Sequence, residues 1–536
     1  MKKQSFLYGS FILIVSVVIT KVIGAVFRIP LANLLGGVGM GYYFAAYGIF
    51  MPVYAVTAAG LPAAVAKIVA ENAAAGHFAN IRKIKRISLI AFTLAGLFFT
   101  AVSIPAAFLF VKISDNPSAL LAVLTILPAI LFGSVSCVLR GYYEGLRNML
   151  PTAISQVIEA VAKLVLGLAL TVFVLDMPAA DFTQIFGETS RLAAAAAAGV
   201  AGVTISSAVA VIFLLIRGKF DDKFVESDKT TQTAKEILSP LLKTAVPIAL
   251  GALVTNLTSL IDIVAVIPSL KAAIETSIVP FMPIMHAGVK KADLAPFIFG
   301  SFTGLAVTVF TLIPSFTNMF GKSALPLIVE SVKEKTDVSE NVGNVIFTAA
   351  AVAAPGGVGI ALLSSEILEF LFPARAAEIA VAALPLSVLG FAVIFLCISS
   401  ALFTVLQAAS RADIPLKIML AGVALKLALN LTLVRIPEIG VTGAAIATLA
   451  CYILIFVLSM VFTVKITKVK HIGYSLAAIA VSSALCGIAA KSAMEFLPVE
   501  NKVIHLFVSI GIAGLVYVAS LYLTQKKQLL KLLRNC

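Results

Sequence analysis

The chain has 536 residues, of which 60% are hydrophobic and 12% charged, a mean hydropathy of +1.07 and a formal net charge of +14. So apolar a composition excludes a water-soluble globule and requires lipid as the solvent. The positive charge is no nucleic-acid footprint, because it sits in short connections between apolar runs and mainly on one side of them.

A helix needs about 20 apolar residues to cross ~30 Å of hydrocarbon, and the first such run covers 6–27. Lys2 and Lys3 precede it as in a signal peptide, but no convincing small-residue cleavage site follows, so an uncleaved first helix is predicted. Lys21 and Arg28 stand seven residues apart, on nearly one helical face. Two aligned cations suit an anionic ligand, whereas Arg28 taken alone also suits an interfacial, snorkelling position. The run 40–70 carries Pro52, Pro62 and Lys67. Its prolines can bend or break the helix and so line a cavity, or merely reflect how commonly proline occurs in membrane helices. Lys67 either faces such a cavity or snorkels.

Runs at 87–111 and 118–139 lead to a fifth at 152–175, where Gln156, Glu159 and Lys163 share a face. Glu159 and Lys163 have the i,i+4 spacing of a neutralised structural pair, with a substrate contact as the alternative role of this face. A sixth run, 192–216, ends at the long polar stretch 217–243, which mixes both charge signs and reads as a cytoplasmic linker. The seventh, 244–270, opens near Pro247 and carries Thr255, Ser259 and Asp262, a polar stripe ending in a carboxylate. That stripe either binds a coupling proton or Na⁺ or holds a helix contact. Runs follow at 297–320, 342–363, 379–408 and 414–434, the last with Lys426 and Asn430 on one face, and then at 440–464, 473–494 and 503–524. About fourteen spans result. None alternates as barrel strands do, so the fold class is an all-α polytopic membrane protein.

Cations concentrate at both termini and in alternate connections, for example Arg82, Lys83, Lys85 and Arg86, with Arg140 and Arg147 counted on the same side. The positive-inside rule then places both termini in the cytoplasm, as an even number of spans requires. The five cysteines and four histidines show no disulfide or metal spacing. Gly37, Gly39 and Gly41 follow no strand, and no phosphate-binding loop occurs. No cofactor and no enzymatic chemistry are expected. Without tryptophan, any aromatic belt relies on tyrosines such as Tyr42, Tyr43 and Tyr47.

Proline-marked segments recur. Ala59-Gly60-Leu61-Pro62 is echoed by Ser323-Ala324-Leu325-Pro326 and Leu150-Pro151 by Ile414-Pro415, with one offset, 264, from 326 minus 62 and from 415 minus 151. Two six-helix halves of like orientation follow, a pattern common in secondary transporters. The predicted organisation is an N-lobe over 1–216 with helices 1–6, the linker 217–243, a C-lobe over 244–464 with helices 7–12, and helices 13–14 with a cytoplasmic tail over 465–536.

The segment running from Leu139-Arg140-Gly141-Tyr142-Tyr143-Glu144-Gly145 to Gln156-Val157-Ile158-Glu159 resembles the signature of the stage V sporulation protein B group of polysaccharide-type exporters. Gly60-Leu61-Pro62 through Lys67-Ile68-Val69-Ala70-Glu71 resembles another stretch of that group. The group belongs to the multidrug/oligosaccharidyl-lipid/polysaccharide exporter superfamily, with the lipid II flippases and multidrug extruders. The resemblance implies two lobes in a V around a central cavity, a tail groove at helices 13 and 14, and cavity cations that engage a pyrophosphate. Lys21 matches the first of those positions and Arg28 lies close by. The second has no counterpart near Tyr54, where Lys67 is the nearest cation.

The expected function is therefore alternating-access flipping of a polyprenyl-pyrophosphate-linked cell-envelope saccharide, such as a lipid II-type peptidoglycan precursor, across the cytoplasmic membrane. A cation-coupled multidrug antiporter of the same architecture and a non-transporting membrane scaffold are the rival readings.

Overall fold

The computed structural model describes residues 6–58, 60–187, 189–221, 232–314, 317, 338–408, 411, 413–467, 469, 472–498 and 500–535. Among them no strand occurs, and thirteen helical stretches are long and apolar enough to cross a bilayer. The first, Val15–Ala74, has 60 residues, or ~90 Å at about 1.5 Å per residue, three times the hydrocarbon thickness. Helix α1 (Phe6–Ala58) turns at Gly36, with φ 61° and ψ −172°, a combination open essentially to glycine alone. Its two legs account for two crossings, so the count agrees with about fourteen.

Pro52 lies inside α1 without ending it. The chain breaks at Gly60 instead, and Pro62 falls in the first turn of α2 (Leu61–Ala74), where a missing N–H is harmless. Pro151 likewise opens α6 (Leu150–Asp176), and Pro415 stands in the first turn of Asp413–Leu433. This half of the predicted repeat has matching structural roles. The segment Ser323–Pro326 lies outside the described residues.

Two compact units, Met1–Pro268 and Ser269–Cys536, divide the chain. In the first unit, α3 (Phe78–Ile113), α4 (Leu120–Ile126) and α5 (Pro128–Gly145) follow α2, and α6 is followed by α7 (Ala179–Phe186), α8 (Arg191–Asp221) and α9 (Ala234–Thr276). The unit boundary falls inside α9, which itself begins within the polar stretch expected as linker. Helices α2 and α5 meet through glycines. A Cβ on Gly141 would lie 2.6 Å from the Pro62 carbonyl oxygen, and one on Gly145 would lie 2.6 Å from Val69 Cβ. The two sequence segments that carry the family resemblance therefore pack on each other at the close range that small residues allow between membrane helices. Leu61, Val65, Tyr142 and Tyr143 form the core there, joined by Ile237 and Leu241 of α9.

The second unit holds α10 (Met282–His286), α11 (Leu294–Ser301), which passes through a π-helical turn into α12 (Val307–Phe310), then α13 (Val338–Leu362), α14 (Ser364–Leu371), α15 (Ala376–Ala408), α16 (Asp413–Leu433), α17 (Thr442–Thr467), α18 (Ile472–Phe496) and α19 (Lys502–Asn535). Phe347 of α13, Leu402 of α15, Ile479 of α18 and Leu506 of α19 share one core. Tyr517 of α19 donates to the Ala351 carbonyl at 2.7 Å. The last two spans are thus packed onto α13.

Candidate functional site

Among the described residues the polar face of α6 carries a side-chain network that joins four helices. Gln156, Glu159 and Lys163 point along one side of the helix, as their spacing requires. Each finds its partner on another helix. Ser16 of α1 donates to Gln156 Oε1 at 3.2 Å. Arg140 of α5 is only 8% exposed, and its Nη2 donates to Glu159 Oε2 at 2.7 Å while its Nε donates to Ser155 Oγ at 2.9 Å. The other carboxylate oxygen of Glu159 accepts from Ser207 of α8 at 2.8 Å. Thr152 closes the loop by donating to the Arg140 carbonyl at 3.3 Å.

The expected Glu159–Lys163 pair does not form. A guanidinium can bind Ser155 and Glu159 together through its fork of donors, so Arg140 takes the carboxylate and Lys163 turns elsewhere. Its Nζ donates to Tyr47 Oη at 3.0 Å and lies 5.0 Å from the centre of the Phe27 ring and 5.4 Å from that of Tyr47. Tyr43 donates to the same Tyr47 oxygen at 3.1 Å. Arg28, next to Phe27, places its guanidinium 5.9 Å from the centre of the Phe44 ring. Among the described residues neither Arg28 nor Lys163 has a carboxylate within ion-pair reach. A charge at mid-membrane costs roughly 2.5–3.5 kcal/mol on insertion scales, and a desolvated cation over a ring returns about 2 kcal/mol. Both side chains are half-buried, so water or an anion can reach them.

The other predicted residues fall in separate places. Lys21 is exposed on the first leg of α1, and Lys67 is exposed on α2. Asp262 is half-buried and Ser259 exposed on α9; of Thr255 only the backbone is described. Lys426 and Asn430 are buried on α16 in the second unit, 4% and 0% exposed. Among the described residues no three His, Cys, Asp or Glu side chains converge as metal ligands do.

Tyr42, Tyr43 and Tyr47 are buried inside the first unit and form no interfacial belt. Sequence reading missed Arg140, Ser207, Tyr43 and Tyr47 as members of the network. Arg140 directly follows an apolar run, and a charge count across connections assigns such a residue to the loop. A usable signal existed, since Arg140 and Glu159 are opposite charges within adjacent spans joined by a short turn.

Three kinds of likeness bear on this arrangement. The family described as polysaccharide biosynthesis protein matches residues 6–332. Stage V sporulation protein B of Bacillus subtilis (strain 168) is 27% identical over 512 residues, covering 93% of this chain and 91% of that protein. Lipid II flippase MurJ of the same organism is 24% identical over 522 residues, covering 91% and 88%. Among solved structures, the inward closed conformation of lipid II flippase MurJ superimposes with a TM-score of 0.68 at 14% identity, over 98% of this chain and 100% of that one. An inward-facing multidrug resistance MATE family transporter of the MOP superfamily gives 0.58 at 15% identity, over 83% and 100%.

Proposed function

The chain belongs to the polysaccharide biosynthesis protein family, and from that premise we propose that it is a flippase for a polyprenyl-pyrophosphate-linked cell-envelope saccharide, of the lipid II type. The observation that carries this reading is the pair Arg28 and Lys163, two cations in neighbouring membrane helices held on aromatic faces and left without carboxylate partners. A pyrophosphate supplies the charge they lack. Lys21, Arg28 and Lys67 engage the anionic headgroup, with Gln156 and Lys163 as further contacts from the same unit. The lobes 1–216 and 244–464 carry alternating access, with both termini cytoplasmic and uptake from the inner leaflet. Moving one net charge through 100 mV is worth about 2.3 kcal/mol, so either the membrane potential or a cation held by Asp262, Ser259 and Thr255 drives the cycle.

A multidrug antiporter moving organic cations would want an available carboxylate in this region. Glu159 is the one present on the polar face of α6, and Arg140 and Ser207 already occupy its two oxygens. That favours the flippase. Vesicles reconstituted with a labelled pyrophosphate-linked saccharide lipid, assayed for accessibility from outside, test it. Wild type flips, and Arg28→Ala and Lys163→Gln each lower the rate about tenfold. Unchanged rates in both variants remove the headgroup role, and a wild-type chain that exports organic cations but flips no lipid replaces this function with the antiporter.

A further inference from the structure

A cavity of about 800 Å³ lies wholly within the second unit, among α14, the start of α15, the end of α18 and the start of α19. That is the end of α19 away from the basic tail. Its apolar wall comprises Phe370, Ile379, Met494 and Val503, together with Ala376, Ala380 and Ala383, three alanines at i, i+4 and i+7 whose short side chains leave a groove along one face of α15. The ionisable groups on its lining are Glu366, Glu369, Lys502 and His505, and of these Glu369 and Lys502 are in contact. Volume and lining are those of a small-molecule site, mostly apolar with a few convergent polar groups. Phe496, Phe507 and Ile504, sequence neighbours of the lining residues, are 78%, 56% and 55% exposed, as apolar side chains facing lipid would be.

We propose that this cavity binds an aminophospholipid, with one acyl chain in the alanine groove and a phosphate and primary ammonium at the polar cluster. Lys502 Nζ and Glu369 Oε2 are 3.0 Å apart, but their side chains are 88% and 51% exposed. An ion pair so exposed contributes little, and a headgroup of opposite polarity can open it, phosphate to Lys502 and ammonium to Glu369. His505 Nε2 lies 3.0 Å from the Ala493 carbonyl, which fixes that nitrogen as the donor and leaves Nδ1 as an acceptor in the neutral ring. The lining therefore offers two carboxylates and one neutral acceptor against a single lysine. The cluster carries net negative charge and more acceptors than donors, which suits a headgroup bearing N–H donors and disfavours an anionic one. Only the choice of leaflet, the outer one, rests on the proposed topology.

Delipidated full-length protein in detergent, titrated with phosphatidylethanolamine or phosphatidylglycerol of identical chains and read by native mass spectrometry, decides the matter without any transport measurement. Wild type should retain phosphatidylethanolamine at least fivefold more tightly. Glu366→Gln/Glu369→Gln should lose about tenfold of that affinity with phosphatidylglycerol retention unchanged, and Ala380→Phe should block both lipids. Equal retention of the two lipids by wild type, or unaltered phosphatidylethanolamine retention in the double variant, overturns the proposal. The double variant changes exposed or half-buried side chains, so it keeps the test decisive even if Ala380→Phe fails to fold.

Discussion

Arg140 and Lys163 are both cations inside the first unit, yet their surroundings give them different work. Arg140 is almost fully enclosed and meets a carboxylate through a charge-assisted bond of 2.7 Å, the stronger kind. Removing one member of such a pair strands the other, at a cost of about 3–5 kcal/mol when burial is complete and less here because the Glu159 side chain is 28% exposed. Glu159→Gln and Arg140→Met should each lower the melting temperature in detergent. The Arg140→Met/Glu159→Leu double variant should lose clearly less than the two single losses added, because it leaves no orphan charge. Strict additivity would show that the pair does not couple. Lys163→Gln is the contrasting case: it removes a cation from ring faces and a phenol oxygen, and its melting temperature should stay near wild type while flipping falls.

Helices were the legible part of this chain, because a run of about twenty apolar residues leaves the backbone no alternative in hydrocarbon. Their mutual contacts were less so. Pro62 reads in sequence as a possible break inside a span, whereas it begins α2 just after the true interruption at Gly60. The partner of Glu159 was hidden for a related reason, since i,i+4 spacing sees only one helix and Arg140 arrives from the next. Gly141 and Gly145 of α5 show what the motif residues accomplish, letting the α2 backbone approach where a side chain cannot fit. Gly141→Val should therefore push α2 and α5 apart and sharply reduce the monodisperse fraction on size exclusion, with Gly145→Val doing the same. Gly76→Ala is a control from an open position, where a Cβ meets nothing within 4 Å; its φ of 78° still adds strain, of order 1–3 kcal/mol. Its loss of folded protein should be the smaller one, and equal losses would mean that packing at α2–α5 is not what the motif glycines serve.

Across the whole molecule, charge placement predicts a direction. The net +14 is not spread evenly: the tail alone offers Lys526, Lys527, Lys531 and Arg534 beyond the last span, and cations near span ends hold a connection on the cytoplasmic side. With an even number of crossings the first residues would be on the same side, which is the topology proposed above. The approximate number of spans was readable at this scale because it is a property of linear spacing, while the aromatic seating of Arg28 and Lys163 depends on which helices touch. Nature supplies a reporter for the tail. Cys137, Cys397, Cys451 and Cys486 are buried, and Cys536 is the final residue of the sequence. A membrane-impermeant maleimide should leave the chain unlabelled in intact cells, label it in inverted vesicles, and fail in both with Cys536→Ser. Labelling from outside in intact cells, abolished by Cys536→Ser, would reverse the topology and with it the leaflet from which the headgroup enters.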